Sequence, residues 1–117
     1  MAATEFVPPS AMVVVAHPDD AEFLCGGTVA KWAARGCEVT YVVITKGDKG
    51  SDDPEMTSER LAVIREAEQR AAGAVLGVRN FEFLGYPDGY LQPTLELRRD
   101  LARLIRKYRP HSLITFD

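Results

Sequence analysis

Runs of strand character alternate with helix-length segments along the whole chain, and this alternation restricts the fold more than any other feature of the sequence. Residues 12–16 (MVVVA) form a short apolar run whose β-branched valines suit a buried strand. After the turn HPDD, residues 21–35 carry Phe23, Gly27, Ala30 and Ala34 at the spacing of one helical face, and Gly36 is placed to end the helix. Residues 38–45 (EVTYVVIT) give a second strand, which runs into a Gly- and Lys-containing loop at 46–56. From about Thr57, the apolar positions Leu61, Ile64, Ala71, Ala72, Val75 and Leu76 return to helical spacing, and Gly77 ends the pattern. Residues 79–84 (RNFEFL) predict a short third strand. The turn GYPDGY follows, then a helix from about Pro93 to Tyr108 and a fourth strand over 111–116. Apolar strands joined by helices imply a parallel sheet with right-handed crossovers, so the class is α/β, with β-α-β-α-β-α-β visible.

With 117 residues the chain has room for one core. Nothing in it approaches the ~18 consecutive apolar residues of a membrane span, and the start, MAATEFVPPS, lacks the basic and apolar stretches of a secretory signal. A formal charge of -3 argues against a general nucleic-acid binder. Cys25 and Cys37 form neither a C-x-x-C pair nor a disulfide framework, which points to the reducing cytosol. Residues 1–10 read as a flexible N-terminal segment ahead of the folded part, 11–117.

Ligands of open parallel sheets bind beyond the carboxyl ends of the strands. The dense polar clusters fall there: His17-Pro18-Asp19-Asp20 after the first strand, Thr45-Lys46-Gly47-Asp48 after the second, and Tyr86-Pro87-Asp88-Gly89 after the third. HPDD is the sharpest. A histidine and two carboxylates within one turn can present an imidazole nitrogen and a carboxylate oxygen to one divalent ion, and the second carboxylate remains for general-base work. The same residues have a plainer reading, because Asp19 with Glu22 three residues on is a helix N-terminal signature favoured by the helix dipole. Spacing leaves both open.

The stretch Val15-Ala16-His17-Pro18-Asp19-Asp20-Ala21-Glu22-Phe23, followed by Gly26-Gly27, closely resembles the signature of the PIG-L deacetylase family, also called LmbE-like. The resemblance continues through Thr45-Lys46-Gly47, Arg65-Glu66-Ala67-Glu68, the helix end Leu76-Gly77-Val78, and Phe83-Leu84 leading to Asp88-Gly89. It implies a Rossmann-like three-layer domain, with 11–117 as its amino-terminal part, and a zinc-dependent hydrolase that deacetylates an N-acetylated amino sugar, an N-acetylglucosaminyl compound. It also implies roles: His17 and Asp20 as zinc ligands, Asp19 as the general base toward a zinc-activated water, Arg65 as a substrate-contacting group and Asp88 as an acidic residue near the sugar hydroxyls. Other divalent ions suit the same donors. The partner so implied is a small amino sugar, with no nucleic acid and no membrane span, and a homo-oligomer is compatible with the reading.

Several of these residues have ordinary counterparts. Arg65 and Glu68 match a solvated helical pair, Asp88-Gly89 a common turn, and Lys46 and Lys49 solvated loop lysines. The arginines between Arg98 and Arg109 fall off the stripe Leu97, Leu101, Leu104, Ile105 and Tyr108, as on a solvated helix face. His111 starts the fourth strand, at the opposite edge from His17, and is assigned no role.

The family pattern also includes a second histidine motif beyond the fourth strand that supplies a third ligand, whereas catalytic zinc takes three protein ligands. The expectation is therefore a fragment of a longer enzyme, or a chain completed by another polypeptide, that binds zinc weakly and hydrolyses little by itself. Two non-catalytic rivals, a receiver-like signalling domain and a nucleotide-binding half-domain, fit worse. The Thr-Lys pair follows the second strand, and no G-x-G-x-x-G is present.

Overall fold

The apolar runs pair as the alternation predicts. The computed structural model describes residues 6–47, 52–87, 89 and 91–115. In chain order these form β1 (Ser10–Val15), α1 (Asp20–Ala34), β2 (Glu38–Thr45), α2 (Ser58–Leu76), β3 (Asn80–Tyr86), α3 (Leu95–Tyr108) and β4 (Ser112–Ile114). The strands make one parallel sheet of order β3-β2-β1-β4, so β1 and β2 are central.

Alternation of side chains along the central strands divides the core into two layers. Val13, Val15, Val39, Tyr41 and Val43 pack with Ala21 and Val29 of α1 and, at the margin, Leu76 of α2. On the other face Met12, Val14, Val42 and Ile44 pack with Leu97 and Leu104 of α3. Helices therefore cover both faces. Polar contacts tie α3 to β3: Tyr86 Oη donates to Asp100 Oδ2 at 2.6 Å, and Glu82 accepts from both Lys107 and Tyr108.

Element limits shift where side chains or pairing override the pattern. Packing begins ahead of the apolar run, since Pro8 is buried and Glu38 N–H donates to Pro9 O. Thr94 accepts from Leu97 N–H, which starts α3 at Leu95 instead of Pro93. β3 runs to Tyr86 because Tyr86 pairs with Thr45 after a register shift, and Gly85 takes φ 77° beside it.

The helical faces need a larger correction. On α1 the expected face is exposed: Phe23 is 91% exposed and Gly27 and Ala34 face solvent, whereas Ala21, Gly26 and Val29 are buried. Cys25 takes a non-helical φ of -147°, so the two parts of α1 do not share one straight repeat. On α2, Val75 is 87% exposed, Ala71 faces solvent, and the buried residues are Leu61, Gln69 and Gly73. Leu61 and Leu76 do face the core as the apolar spacing predicts, and a polar residue and a glycine share that face with them in place of Ala71 and Val75. α3 keeps its predicted stripe through Leu97 and Leu104, with Ile105 at the margin and Arg98, Arg99, Arg103 and Arg106 exposed. No helix among the described residues is long and apolar enough to cross a membrane.

Candidate active site

The strand order reverses at β1. The chain leaves it through α1 on one face of the sheet, and β4 returns to its other side from α3 on the opposite face. Such a switch point opens a crevice beyond the carboxyl end of the strand, and His17-Pro18-Asp19-Asp20 stands in it. Pairing with β2 continues one residue past β1, where Thr45 N–H donates to Ala16 O at 2.8 Å, and the chain then turns away.

Within the turn, Asp20 is the first residue of α1 and folds back over His17. Its Oδ2 accepts from His17 N–H at 3.1 Å and lies 3.4 Å from His17 Nδ1. The imidazole nitrogen and the carboxylate thus converge on one point, both partly open to solvent. Asp19 faces another way. Its Oδ2 is 3.7 Å from Arg65 Nη1, and the same nitrogen is 3.7 Å from Glu68 Oε2. Arg65 is therefore more than half of an intrahelical pair: it bridges α2 to the turn.

Asp19 occupies the N-cap position of α1 without capping it. Its backbone is left-handed, at φ 73° and ψ -13°, and its side chain accepts no cap hydrogen bond. The capping reading of Asp19 and Glu22 thus describes the position but not the contacts. Gly47, with φ 65°, lies against Pro18 and Arg65: a Cβ there would sit 2.9 Å from Pro18 Cδ, so the loop after β2 closes tightly on the turn. Beside it opens a depression of about 230 Å³ lined by Pro18, Thr45, Lys46, Glu66, Phe83 and Gly85. Asp88 lies outside the described residues. His111 sits at the other end of the sheet, its N–H donating to Ser10 Oγ at the start of β1.

One nitrogen and one carboxylate oxygen suit zinc or a similar divalent ion. Among the described residues no three His, Cys, Asp or Glu side chains come together as a metal cluster. The donors fit two positions of a metal site and supply no third.

Sequence reading passed over the polar contacts behind the turn. Gln69 is fully buried and bonded to both Asp19 and Glu22. Burial pushes the Glu22 carboxyl above its ordinary range, against the pull of the Gln69 hydrogen bond, and burial with Glu22 nearby pushes the Tyr41 hydroxyl upward. Glu22 Oε2, Tyr41 Oη and Thr45 Oγ1 are buried without a protein partner among the described residues. The available signal was that Gln69 shares one face of α2 with Leu61, Gly73 and Leu76.

Residues 12–117 match the family model PIG-L: GlcNAc-PI de-N-acetylase. The diacetylchitobiose deacetylase of Thermococcus kodakarensis is 35% identical over 101 residues, covering 86% of this chain and 38% of that protein. Among solved structures, the N,N'-diacetylchitobiose deacetylase of Pyrococcus horikoshii superposes with a TM-score of 0.89 at 34% identity, over 91% of this chain and 40% of that one. A 4-carboxy-2-hydroxymuconate hydratase from Pseudomonas putida gives a TM-score of 0.82 at 28% identity, over 89% of this chain and 45% of that one. This chain thus spans less than half the length of each of these relatives. The match over nearly all of its residues, at these identities and on this sheet, establishes that the chain belongs to the PIG-L family.

Proposed function

We propose that the chain carries the water-activating part of a metal-dependent deacetylase acting on an N-acetylated amino sugar. The observation that supports this best is the division of labour within one turn: His17 and Asp20 converge, while Asp19 between them is held apart against Arg65. Likeness to two diacetylchitobiose deacetylases supports the choice of substrate class.

His17 and Asp20 would hold the metal, Zn2+ by the family resemblance. When bound, such an ion supplies Lewis acidity toward an amide carbonyl and brings the pKa of water toward ~7. Asp19 accepts a proton from the water that attacks the amide carbon, and its separation from the His17–Asp20 pair leaves its oxygens available for that transfer. Arg65 steadies Asp19 from α2 and is assigned to contact the substrate. Asp88 is assigned to the sugar hydroxyls, and the depression beside Lys46 to the body of the sugar. A cytoplasmic setting, expected from cysteine usage, belongs to the same proposal.

The test is acetate release from N,N'-diacetylchitobiose with and without Zn2+. A slow, metal-dependent rate is expected, lowered about 10²–10⁴-fold by Asp19→Asn. A rate that survives chelation and Asp19→Asn unchanged would overturn the reading. Addition of water to an unsaturated acid without acetate release would instead favour hydratase chemistry, as in the name of the Pseudomonas relative.

A further inference from the structure

A carboxamide buried in an apolar helix interface is costly unless its groups are paired. Gln69 is 0% exposed in the middle of α2, and both ends of its amide are used. Its Oε1 accepts from the backbone N–H of Asp19 at 2.7 Å, and its Nε2 donates to Glu22 Oε1 at 2.7 Å. One side chain from α2 thereby grips α1 at its cap and again one turn inside.

The cap it grips is strained. A left-handed backbone is unfavourable for an L-residue, and an N-cap residue ordinarily avoids it by taking extended angles and bonding its own side chain to the helix. Thr57 and Thr94 do so at the starts of α2 and α3. Asp19 does not. Rotating Asp19 to extended angles would turn its N–H away from Gln69 Oε1 and leave that oxygen buried without its partner. The loss of that bond opposes release of the strain.

We propose that Gln69 is a positioning residue, anchored by Glu22, that pins the Asp19 backbone in its left-handed conformation and so keeps the Asp19 carboxylate off the helix cap and on the Arg65 side. The consequence for turnover rests on the deacetylase reading; the coupling between Gln69 and Asp19 does not.

The experiment therefore has two readouts. Hydrogen exchange of the Asp19 amide, resolved by NMR, is expected to be slow in the unaltered chain although N-cap amides usually face water. Gln69→Leu should speed it at least tenfold relative to amides of β1 and β2. In Zn2+-loaded protein the same substitution should lower kcat for acetate release about tenfold with KM little changed. The exchanged pair Glu22→Gln with Gln69→Glu retains an acceptor for Asp19 N–H and a donor between the two side chains, and should restore both readouts. A fast Asp19 amide in the unaltered chain overturns the proposal even where Gln69→Leu fails to fold. So does a Gln69→Leu protein of lower Tm whose Asp19 exchange and kcat are unchanged, the result of a purely structural role. If no variant releases acetate, the enzymatic reading fails and the amide exchange alone decides the coupling.

Discussion

Asp19 holds the largest difference between what the sequence pattern displays and what the backbone does. The motif His17-Pro18-Asp19-Asp20 and its place after a buried strand were legible, because residue identity and strand order are both written in the chain. Its left-handed Asp19 was not, since the residue that stabilises it stands fifty positions away. The conformation has a measurable signature. Glycine adopts φ 73° without a Cβ penalty, asparagine tolerates it, and alanine has neither advantage. Urea denaturation should rank Asp19→Gly at or above Asp19→Asn, with Asp19→Ala lower than Asp19→Gly by about 1 kcal/mol. Equal stability of the alanine and glycine variants would mean that Asp19 is not held in this conformation. The ranking probes the backbone alone and is independent of any catalytic role.

At the scale of elements, strands were read well and helix faces poorly, for one reason. The central strands β1 and β2 are rich in Val, Ile, Thr and Tyr and buried on both faces, so composition alone marks them. A helix face depends on phase, and the Cys25 kink in α1 and the buried Gln69 and Gly73 in α2 disturb it. Gly73 shows how packing overrides propensity. Alanine is favoured over glycine inside a helix by about 0.8–1 kcal/mol, yet a Cβ on Gly73 would sit 2.5 Å from Phe81 Cε1. The Phe81 ring meets the edge of Tyr41 and lies parallel to Phe83, with Arg70 over both phenylalanines, so it has little freedom to withdraw. Overpacking of this kind costs about 1–3 kcal/mol. Gly73→Ala should therefore lower stability by about 1 kcal/mol, and adding Phe81→Leu should recover part of the loss. A stabilised alanine variant would show that α2 can move away from β3.

For the molecule as a whole, the parallel order β3-β2-β1-β4 gathers the carboxyl ends of β1, β2 and β3 on one edge, where Pro18, Thr45, Lys46 and Gly85 line one depression. It also separates the two histidines, because His17 follows β1 while His111 precedes β4. The alternation of the sequence carried both conclusions. The number of metal donors was a matter of tertiary geometry: His17 and Asp20 come together, and among the described residues no group of three His, Cys, Asp or Glu side chains does. Metal affinity then follows from coordination. Zinc sites of high affinity use three or four protein donors, so competition against a chromophoric chelator should give this chain a Zn2+ Kd of about 1 μM or weaker, no more favourable than about -8.2 kcal/mol. His17→Ala should abolish the binding. His111→Ala should leave it unchanged, because Ser10 and Phe6 hold that residue at the far edge of the sheet. Nanomolar affinity that survives His17→Ala would place the metal elsewhere and remove the basis for assigning Asp19 the role of base.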